Sequence, residues 1–536
     1  MYRRLIAPVV VLAAALLLAA SCTPPPDDAA ARDEIRVHIP RSPVSTSLIG
    51  GKGDRYSTLV GRLVSDSLIG FDAGLRIQPR VAESWELSED YLTLTFRLRE
   101  GVRWHDGKPV TSEDVAYTVA LAQDPATESF SWADGFEDVE SVDTPDERTV
   151  VVRYREAFAD MMNAWWIPLI PKHLASLDED FLTGSFAQSP VGCGPYRFVE
   201  AVSGEKIVLE RNEDYWDGPA KNAGLLLRVH PDERTAYESF LRGEIDMMAS
   251  APAIWSEAAG AERTHPLKRD SYRRMSGWFI AWNQKESLPF FQDAGVRRAM
   301  MHALDRVNFT AKVLDDVAAP AISSWHPDGP WAHPGLEALP FDQDLARTLL
   351  EQAGWVDTDG DGVRERDGQD FRFELLTLSS TQEIVDRMTA WVQQSLREVG
   401  VAMTVRKTER AGFLESRNSG GFDAVMTGLS FDLAADQTPI YRSHDAPYNW
   451  VAYGNDEVDR LLERGKRTFD LEERQAIYRR IQEILLEEQP IGWMFHFGSP
   501  FMYDARLRGL EPSPLGIYRI EPGVKAWHWE SAPAGK

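Results

Sequence analysis

The sequence predicts a mixed α/β protein of two or three domains. Residues 92–98 alternate apolar side chains with Thr and Arg, the pattern of a strand with one buried face, and we expect this strand at a sheet edge. Residues 371–405 show the order strand, helix, strand of a βαβ unit, because a helical apolar face separates two β-type runs. With 536 residues, the chain is long enough for more than one core.

Other elements follow from the same patterns and from capping residues. Thr111 stands three residues before Asp114 and predicts the start of a helix, and Asp470 with Glu473 predicts a capping box for another. A third helix is expected near residues 232–241. Further strands are expected at residues 34–39, 149–154, 206–210 and 225–229.

The first 32 residues indicate an export and anchoring segment. Arg3 and Arg4 precede an apolar run at residues 7–20, which is shorter than the ~20 residues of a membrane-spanning helix and typical of a signal peptide. We therefore expect residues 1–21 to be a signal peptide. The sequence LAASC resembles a bacterial lipobox, which implies that Cys22 becomes lipidated and that residues 22–32, rich in Pro and Asp, form a tether.

Charge and cysteine content exclude several classes of protein. The net charge of −25 argues against nucleic acid or an anionic membrane surface as a partner. Cys22 and Cys193 are the two cysteines of the sequence, so no internal disulfide can form once Cys22 is acylated. The sequence has no HExxH, GxSxG or phosphate-loop motif, and its histidines lack metal-ligand spacing.

Several long blocks resemble one known family. They include AESWELSEDYLTLTFRLREGVRWHDGKPVTSEDV, VGCGPYRFVEAVSGEKIVLERNEDYW, VRRAMMHALDR and FDAVMTGLSFD. In this order they are similar to the extracytoplasmic solute-binding proteins of the peptide and nickel family, which deliver ligands to ABC importers. The resemblance covers nearly the whole mature chain. It implies a periplasmic-binding-protein-like fold of two lobes (class II, cluster C type), with an extra α+β domain inserted in lobe one.

The resemblance also implies domain boundaries. Lobe one would combine residues 33–54, 189–272 and 497–536. The inserted domain would be residues 55–188, and lobe two would be residues 273–496.

Candidate ligand-binding residues come from the same resemblance. In peptide-binding relatives, an aspartate corresponding to Asp432 faces the α-ammonium of the ligand, and a carboxylate in a closed cleft needs such a cation. The alternative is that Asp432 caps a loop in solvent. Leu429 stands where relatives carry an aromatic wall. Trp282-Asn283 and Trp325 fall where relatives line the cleft, although tryptophans beside strands often belong to the core.

One acidic turn is a candidate metal site. Asp357, Asp359 and Asp361 occupy the opening positions of a calcium-binding EF-hand loop, but Gly368 stands where the bidentate glutamate is required. Similar turns in the family form hairpins. We therefore favour a structural turn and keep calcium as the alternative.

The resulting functional prediction is a lipid-anchored binding protein on the periplasmic side of the cell envelope. It would capture a peptide-like ligand by lobe closure and pass it to ABC permease subunits, as a monomer, without a cofactor and without catalysis. Alternative ligands are an oligosaccharide or a metal chelate, including nickel and haem-like compounds. Alternative functions are ligand sensing without transport and a secreted hydrolase.

Overall fold

The computed structural model describes most of the chain after the first 32 residues. The described residues are 33–49, 54–127, 130–175, 183–250, 252–260, 266–315, 317–379, 383–431, 433–444, 446–518 and 520–530. Cys22 and Asp432, both named above, lie outside them.

The strands are numbered in chain order. They are β1 Glu34–Ile39, β2 Ile69–Phe71, β3 Ile77–Pro79, β4 Ala82–Leu87, β5 Thr93–Leu98, β6 Val139–Asp146, β7 Thr149–Tyr154, β8 Tyr196–Val202, β9 Lys206–Arg211, β10 Gly224–Val229, β11 Met247–Ala249, β12 Leu267–Trp282, β13 Ala318–Pro320, β14 Glu365–Arg366, β15 Gln369–Asp370, β16 Arg372–Leu378, β17 Ala402–Thr408, β18 Ala424–Ser430, β19 Ile491–Asp504, β20 Leu507–Arg508 and β21 His528–Trp529.

The α-helices are numbered in the same way. They are α1 Arg55–Val64, α2 Ser112–Gln123, α3 Phe130–Ala133, α4 Ser185–Gln188, α5 Glu233–Leu241, α6 Pro252–Gly260, α7 Ala294–His302, α8 Arg306–Val313, α9 Gln343–Gln352, α10 Glu383–Arg397, α11 Arg410–Ser419, α12 Thr438–Tyr441, α13 Asp456–Arg467 and α14 Leu471–Glu488. Within the described ranges, no helix combines the length and apolarity needed to span a bilayer.

One mixed sheet runs through both lobes. Its strand order is β17-β16-β18-β12-β19-β11-β1-β10-β9-β8, with β13 paired to β19. The predicted βαβ unit is confirmed, since β16 and β17 pair in parallel and α10 connects them. On the lobe-one side, β1 pairs in parallel with β10 and its Ile35, Val37 and Ile39 side chains are buried. A two-lobed α/β architecture results, as the sequence predicts.

The inserted domain has a separate four-stranded sheet of order β4-β5-β7-β6. Leu94, Phe96 and Leu98 of β5 are buried, which confirms the one-sided burial predicted for this strand. The predicted edge position is wrong, because β7 pairs with β5 on the side opposite β4. β7 begins at Thr149, 51 positions after β5 ends, and local alternation does not reveal such a partner.

Both predicted N-cap residues are found in the structure, and of the box predicted for Asp470 and Glu473 the Asp470 half is present. Thr111 and Asp114 form a reciprocal capping box at the start of α2. The Asp470 carboxylate accepts the backbone N–H of Glu473 at 2.8 Å at the start of α14. These caps satisfy N–H groups that have no partner within the helix.

Candidate ligand-binding site

Two long strands cross from lobe one to lobe two side by side. β12 and β19 pair from Leu267 and Asp504 to Arg273 and Gly498, and pairing resumes at Gly277. The ladder is interrupted over residues 274–276, and such an irregularity bends a strand pair locally. β19 continues the sheet to β11 on one side, and β12 continues it to β18 on the other. The interruption therefore lies where the two lobes meet.

Gly277 is required at this crossing by close packing. A Cβ atom there would lie 3.2 Å from ring atoms of Phe431 and of Trp493, and 3.3 Å from the carbonyl oxygen of Phe495. These distances are shorter than ordinary van der Waals contact. Aromatic side chains of lobe two thus pack against the backbone immediately after the interruption.

An inter-lobe cavity of about 150 Å³ lies beside the crossing strands. The inserted domain and lobe two both contribute to its wall. Residues from the inserted domain are Phe71, Leu75, Ile77, Ala159, Asp160, Met162 and Asn163. Residues from lobe two are Met275, His326, Gly329, Pro330, Trp331, Leu433 and Arg474. Ligand sites are typically concave, largely apolar and located between domains, and this cavity has those properties.

A buried ion pair connects the two sides of the inter-lobe cavity. Arg474 Nη2 donates to Asp160 Oδ2 at 2.6 Å, and the two side chains are only 5% and 14% exposed. The same carboxylate accepts the backbone N–H groups of Ala435 at 3.3 Å and Asp436 at 3.2 Å. One carboxylate of the inserted domain is therefore bound at three points to lobe two.

Two further contacts join the same two parts of the molecule. The backbone N–H of Ala159 donates to the carbonyl oxygen of Lys466 at 2.9 Å. The rings of Tyr91 and Phe469 stack with their centroids 3.9 Å apart and nearly parallel planes. The inserted domain and lobe two are thus in direct contact in this conformation.

Two buried histidines lie next to the strand interruption. The ring of His326 is 5.7 Å from that of His496, and its Nε2 donates to the carbonyl oxygen of Arg273 at 3.2 Å. Burial lowers the pKa of His326 to about 4. Burial and the neighbouring His326 lower the pKa of His496 to about 3. Both imidazoles are therefore neutral at pH 7.

Two of the residues predicted to line the cleft are located in the interior of lobe two. The Trp282 ring is fully buried and packs against Phe291 and Phe373. Asn283 is fully buried as well, and its Nδ2 donates to the carbonyl oxygen of Phe422 at 2.6 Å. Neither side chain offers a surface to a ligand in this conformation, so we leave both out of the proposed site.

The two remaining described residues of the predicted cleft are Trp325 and Leu429. Trp325 directly precedes the cavity residue His326, but its ring is buried on Tyr441 and its Nε1 donates to the carbonyl oxygen of Ala435 at 2.9 Å. It thereby supports the segment that contacts Asp160. Leu429 is half-buried on β18, opposite Gly277. The ligand contacts of these two residues and of Asp432 stay predictions.

The acidic turn is ordered by its own carboxylates. Asp357, Asp359 and Asp361 are exposed, and each offers a carboxylate oxygen within 4.8 Å of the others. Asp357 accepts the backbone N–H groups of Gly360 at 2.7 Å and Gly362 at 3.0 Å. These hydrogen bonds are typical of a turn. The turn connects residues 356 and 365, which form an antiparallel bridge.

Cys193 and His105 have structural roles in the described part of the chain. Burial raises the pKa of the Cys193 thiol to about 12, which makes it unreactive at neutral pH. The His105 ring lies 3.0 Å from the carbonyl oxygen of Gly194, and burial lowers its pKa to about 4.

Asp160 and Arg474 are absent from the sequence-based set of site residues. They are 314 positions apart, and no local motif marks either one. One weak sequence signal could have identified Arg474 as a buried charge. It lies on the helical face that also carries Ile477 and Ile481, both buried. A charged residue on an otherwise apolar face needs a buried partner.

The fold and the inter-lobe cavity define a two-lobed protein built to enclose a ligand. Residues 76–449 match the model for the middle region of bacterial extracellular solute-binding proteins, family 5, and the chain belongs to that family. Members of the family are solute-binding components of transport systems. The chain is 28% identical over 488 residues to the oligopeptide-binding protein AppA of Bacillus subtilis, covering 87% of each chain.

Solved structures show the same fold. The structure of AppA from Bacillus subtilis in complex with a nonapeptide has a TM-score of 0.69 and 24% identity, covering 92% of this chain and 98% of AppA. NikZ from Campylobacter jejuni in complex with Ni(L-His) has a TM-score of 0.72 and 24% identity, covering 93% and 99%. HbpA2 from Haemophilus parasuis has a TM-score of 0.80 and 21% identity, covering 90% and 98%.

Proposed function

We propose that this protein captures a peptide-like ligand between its lobes and delivers it to the permease of an ABC importer. The observation that carries the proposal is the inter-lobe cavity, whose wall comes from both sides of a strand crossing with an interrupted ladder. A ligand held there contacts both sides only when they are close together. Ligand binding then shifts the population towards the closed form, and no bond is made or broken.

A peptide-like ligand is favoured over the other ligands considered. AppA, a relative over most of the chain, is named for oligopeptide binding. NikZ, with the same fold, holds a nickel–histidine complex, which keeps a metal chelate as the second candidate. In the described residues, the group of carboxylates able to hold a metal is the exposed turn at Asp357, which is not part of the cavity wall.

The ligand itself can be identified directly. Mass spectrometry of material released from the purified protein should find peptides, and calorimetry should then show binding of the same synthetic peptides. Release of an oligosaccharide or of stoichiometric nickel, with no peptide binding, would replace the peptide by one of the alternative ligands. Turnover of a released compound by the protein would contradict our inference that it is not an enzyme.

We further propose that Asp432 contacts the α-ammonium group of the ligand. Asp432→Asn keeps the shape but removes the charge, so binding should weaken by about 2 to 5 kcal/mol, as for one half of a buried charge pair. N-acetylation of the peptide should weaken wild-type binding similarly. The two changes together should cost less than their sum, because both remove one interaction. Unchanged affinity in Asp432→Asn would exclude this contact.

We also propose a location and partners for the protein. The signal-peptide pattern and Cys22 support a location on the periplasmic side of the envelope with a lipid tether. There the protein would act as a monomer with membrane-embedded permease subunits. Neighbouring permease and ATPase genes would support transport, whereas their absence would favour a sensing role.

A further inference from the structure

The wall of the inter-lobe cavity is largely apolar on both sides, with Asn163 as its uncharged amide. Phe71, Leu75 and Met162 lie on the side of the inserted domain, and Met275 and Leu433 lie on the side of lobe two. These five side chains offer no hydrogen-bond donor, and their only acceptors are the weak thioether sulfurs of Met162 and Met275. A water molecule in such a space needs two to four polar partners, which this part of the wall does not provide.

The ionisable residues of the wall contribute no net charge. Asp160 and Arg474 neutralise each other in their 2.6 Å contact. Arg474 is also bonded through Nε to the carbonyl oxygen of Gly465 at 3.0 Å. His326 is the third ionisable residue of the wall and is neutral at pH 7 because burial lowers its pKa. A charged group entering the cavity would lose its hydration without finding a free counter-charge.

Leu75 reaches the cavity through an unusual backbone conformation. It lies in the turn between β2 and β3 with a φ of 61°, in the left-handed region that leucine rarely adopts, and its side chain is 5% exposed. Glycine, Asn or Asp would fit this backbone with less strain. The strain therefore accompanies the placement of an apolar side chain in the wall.

The volume of the cavity sets the size of an occupant. A protein cavity of roughly 150 Å³ lined by Leu, Ile and Phe stays dry and accepts a molecule as large as benzene. The inter-lobe cavity has a similar volume, about 150 Å³. A leucine or phenylalanine side chain is of suitable size, whereas the methyl group of alanine would leave most of the space empty.

We propose that the inter-lobe cavity is a specificity subsite that receives one uncharged, apolar side chain of the ligand, of the size of leucine or phenylalanine. The inference rests on the proposed function and adds a ligand preference to it. The occupant contacts both the inserted domain and lobe two, so the same apolar side chain that selects the ligand also favours closure.

The test uses tetra-alanine and variants in which one position at a time is Leu, Phe, Gln or Lys, with calorimetry on the full-length protein. At one position, Leu or Phe should bind about tenfold or more tightly than Ala, because each buried methylene contributes ~0.8 kcal/mol. Gln and Lys at that position should bind no better than Ala. If the peptides bind but Leu or Phe gives no advantage over Ala at any position, the subsite inference is overturned and the proposed function is not. Absence of binding by all of them overturns the proposed function as well.

Two variants locate the preference in this cavity. Leu75→Asn suits the left-handed backbone but makes the wall polar, and Met162→Trp fills part of the space. Both should remove the advantage of Leu and Phe over Ala at that position. The matched control, Leu345→Asn, makes the same exchange at a position of α9 that is 38% exposed, and it should retain the preference. A preference that survives both cavity variants overturns the assignment.

Discussion

Asp160→Asn should weaken the contact between the inserted domain and lobe two. The substitution keeps the size of the side chain but removes the charge that Arg474 contacts at 2.6 Å. It also weakens the acceptor for the backbone N–H groups of Ala435 and Asp436. Both side chains are nearly buried, so water cannot replace the lost contact without cost.

The magnitude follows from what remains around Arg474. Removing one partner of a buried ion pair typically costs ~3–5 kcal/mol. Arg474 keeps its bond to the carbonyl oxygen of Gly465 and its position over the Trp331 ring, 4.9 Å from the ring centroid. The lower end of the range is therefore expected, about 3 kcal/mol, which corresponds to a change of roughly 150-fold in an equilibrium constant.

The assay is the affinity for a ligand obtained from the purified protein, together with energy transfer between dyes on the inserted domain and lobe two. Asp160→Asn should lower the affinity by up to roughly 150-fold and increase the dye distance in the ligand-free protein. The control Arg464→Gln breaks an exposed pair with Glu473, with side chains 60% and 49% exposed, and should change the affinity by less than about threefold. Unchanged affinity and distance in Asp160→Asn would refute a role of this pair in closure.

Three further predictions concern pH, metal and anchoring. The free energy of unfolding should fall as pH decreases from about 6.5 towards 4, by up to ~1.4 kcal/mol per pH unit for each histidine, because the native state keeps His326 and His496 neutral while the unfolded state binds protons. Urea unfolding at pH 7, 6 and 5 gives the free energy of unfolding at each pH. This free energy should fall less steeply with decreasing pH in His496→Phe than in wild type, and an equally steep fall would contradict this account. Chelation of calcium should change Tm by no more than about 1 °C, since the carboxylate of Asp357 already holds the turn; a large calcium-dependent rise that disappears in Asp359→Ala would show a metal site instead. Cys22→Ala should move the mature protein from the membrane to the soluble fraction, because lipid chains provide the anchoring. Continued membrane fractionation of this variant would exclude lipidation at Cys22.

Elements whose signal is local were predictable from the sequence. β1 is found at Glu34–Ile39, the range predicted from its alternation, and the Thr111 cap begins a helix at Ser112. The partners of strands were not predictable in the same way. β5 was expected at an edge, but β7 covers its second side, because strand pairing depends on residues distant in sequence.

The candidate binding site was harder to predict than the fold. Family position suggested Trp282 for the cleft, but apolar neighbours such as Phe291 enclose its ring in a core. A tryptophan beside a strand has the same local sequence whether it faces a core or a cleft. Asp160 and Arg474 were not among the predicted residues. Each has the sequence context of an ordinary charged residue, and only the fold brings the two side chains together.

The double crossing of β12 and β19 has a consequence for the thermodynamics of capture. Because two hydrogen-bonded strands connect the lobes, few backbone torsions separate an open from a closed arrangement. Each lobe is therefore present at a high effective concentration for the other, and the second contact with a ligand is an intramolecular event. Little conformational entropy is lost on closure, so modest contacts on each side of a ligand are sufficient for tight retention.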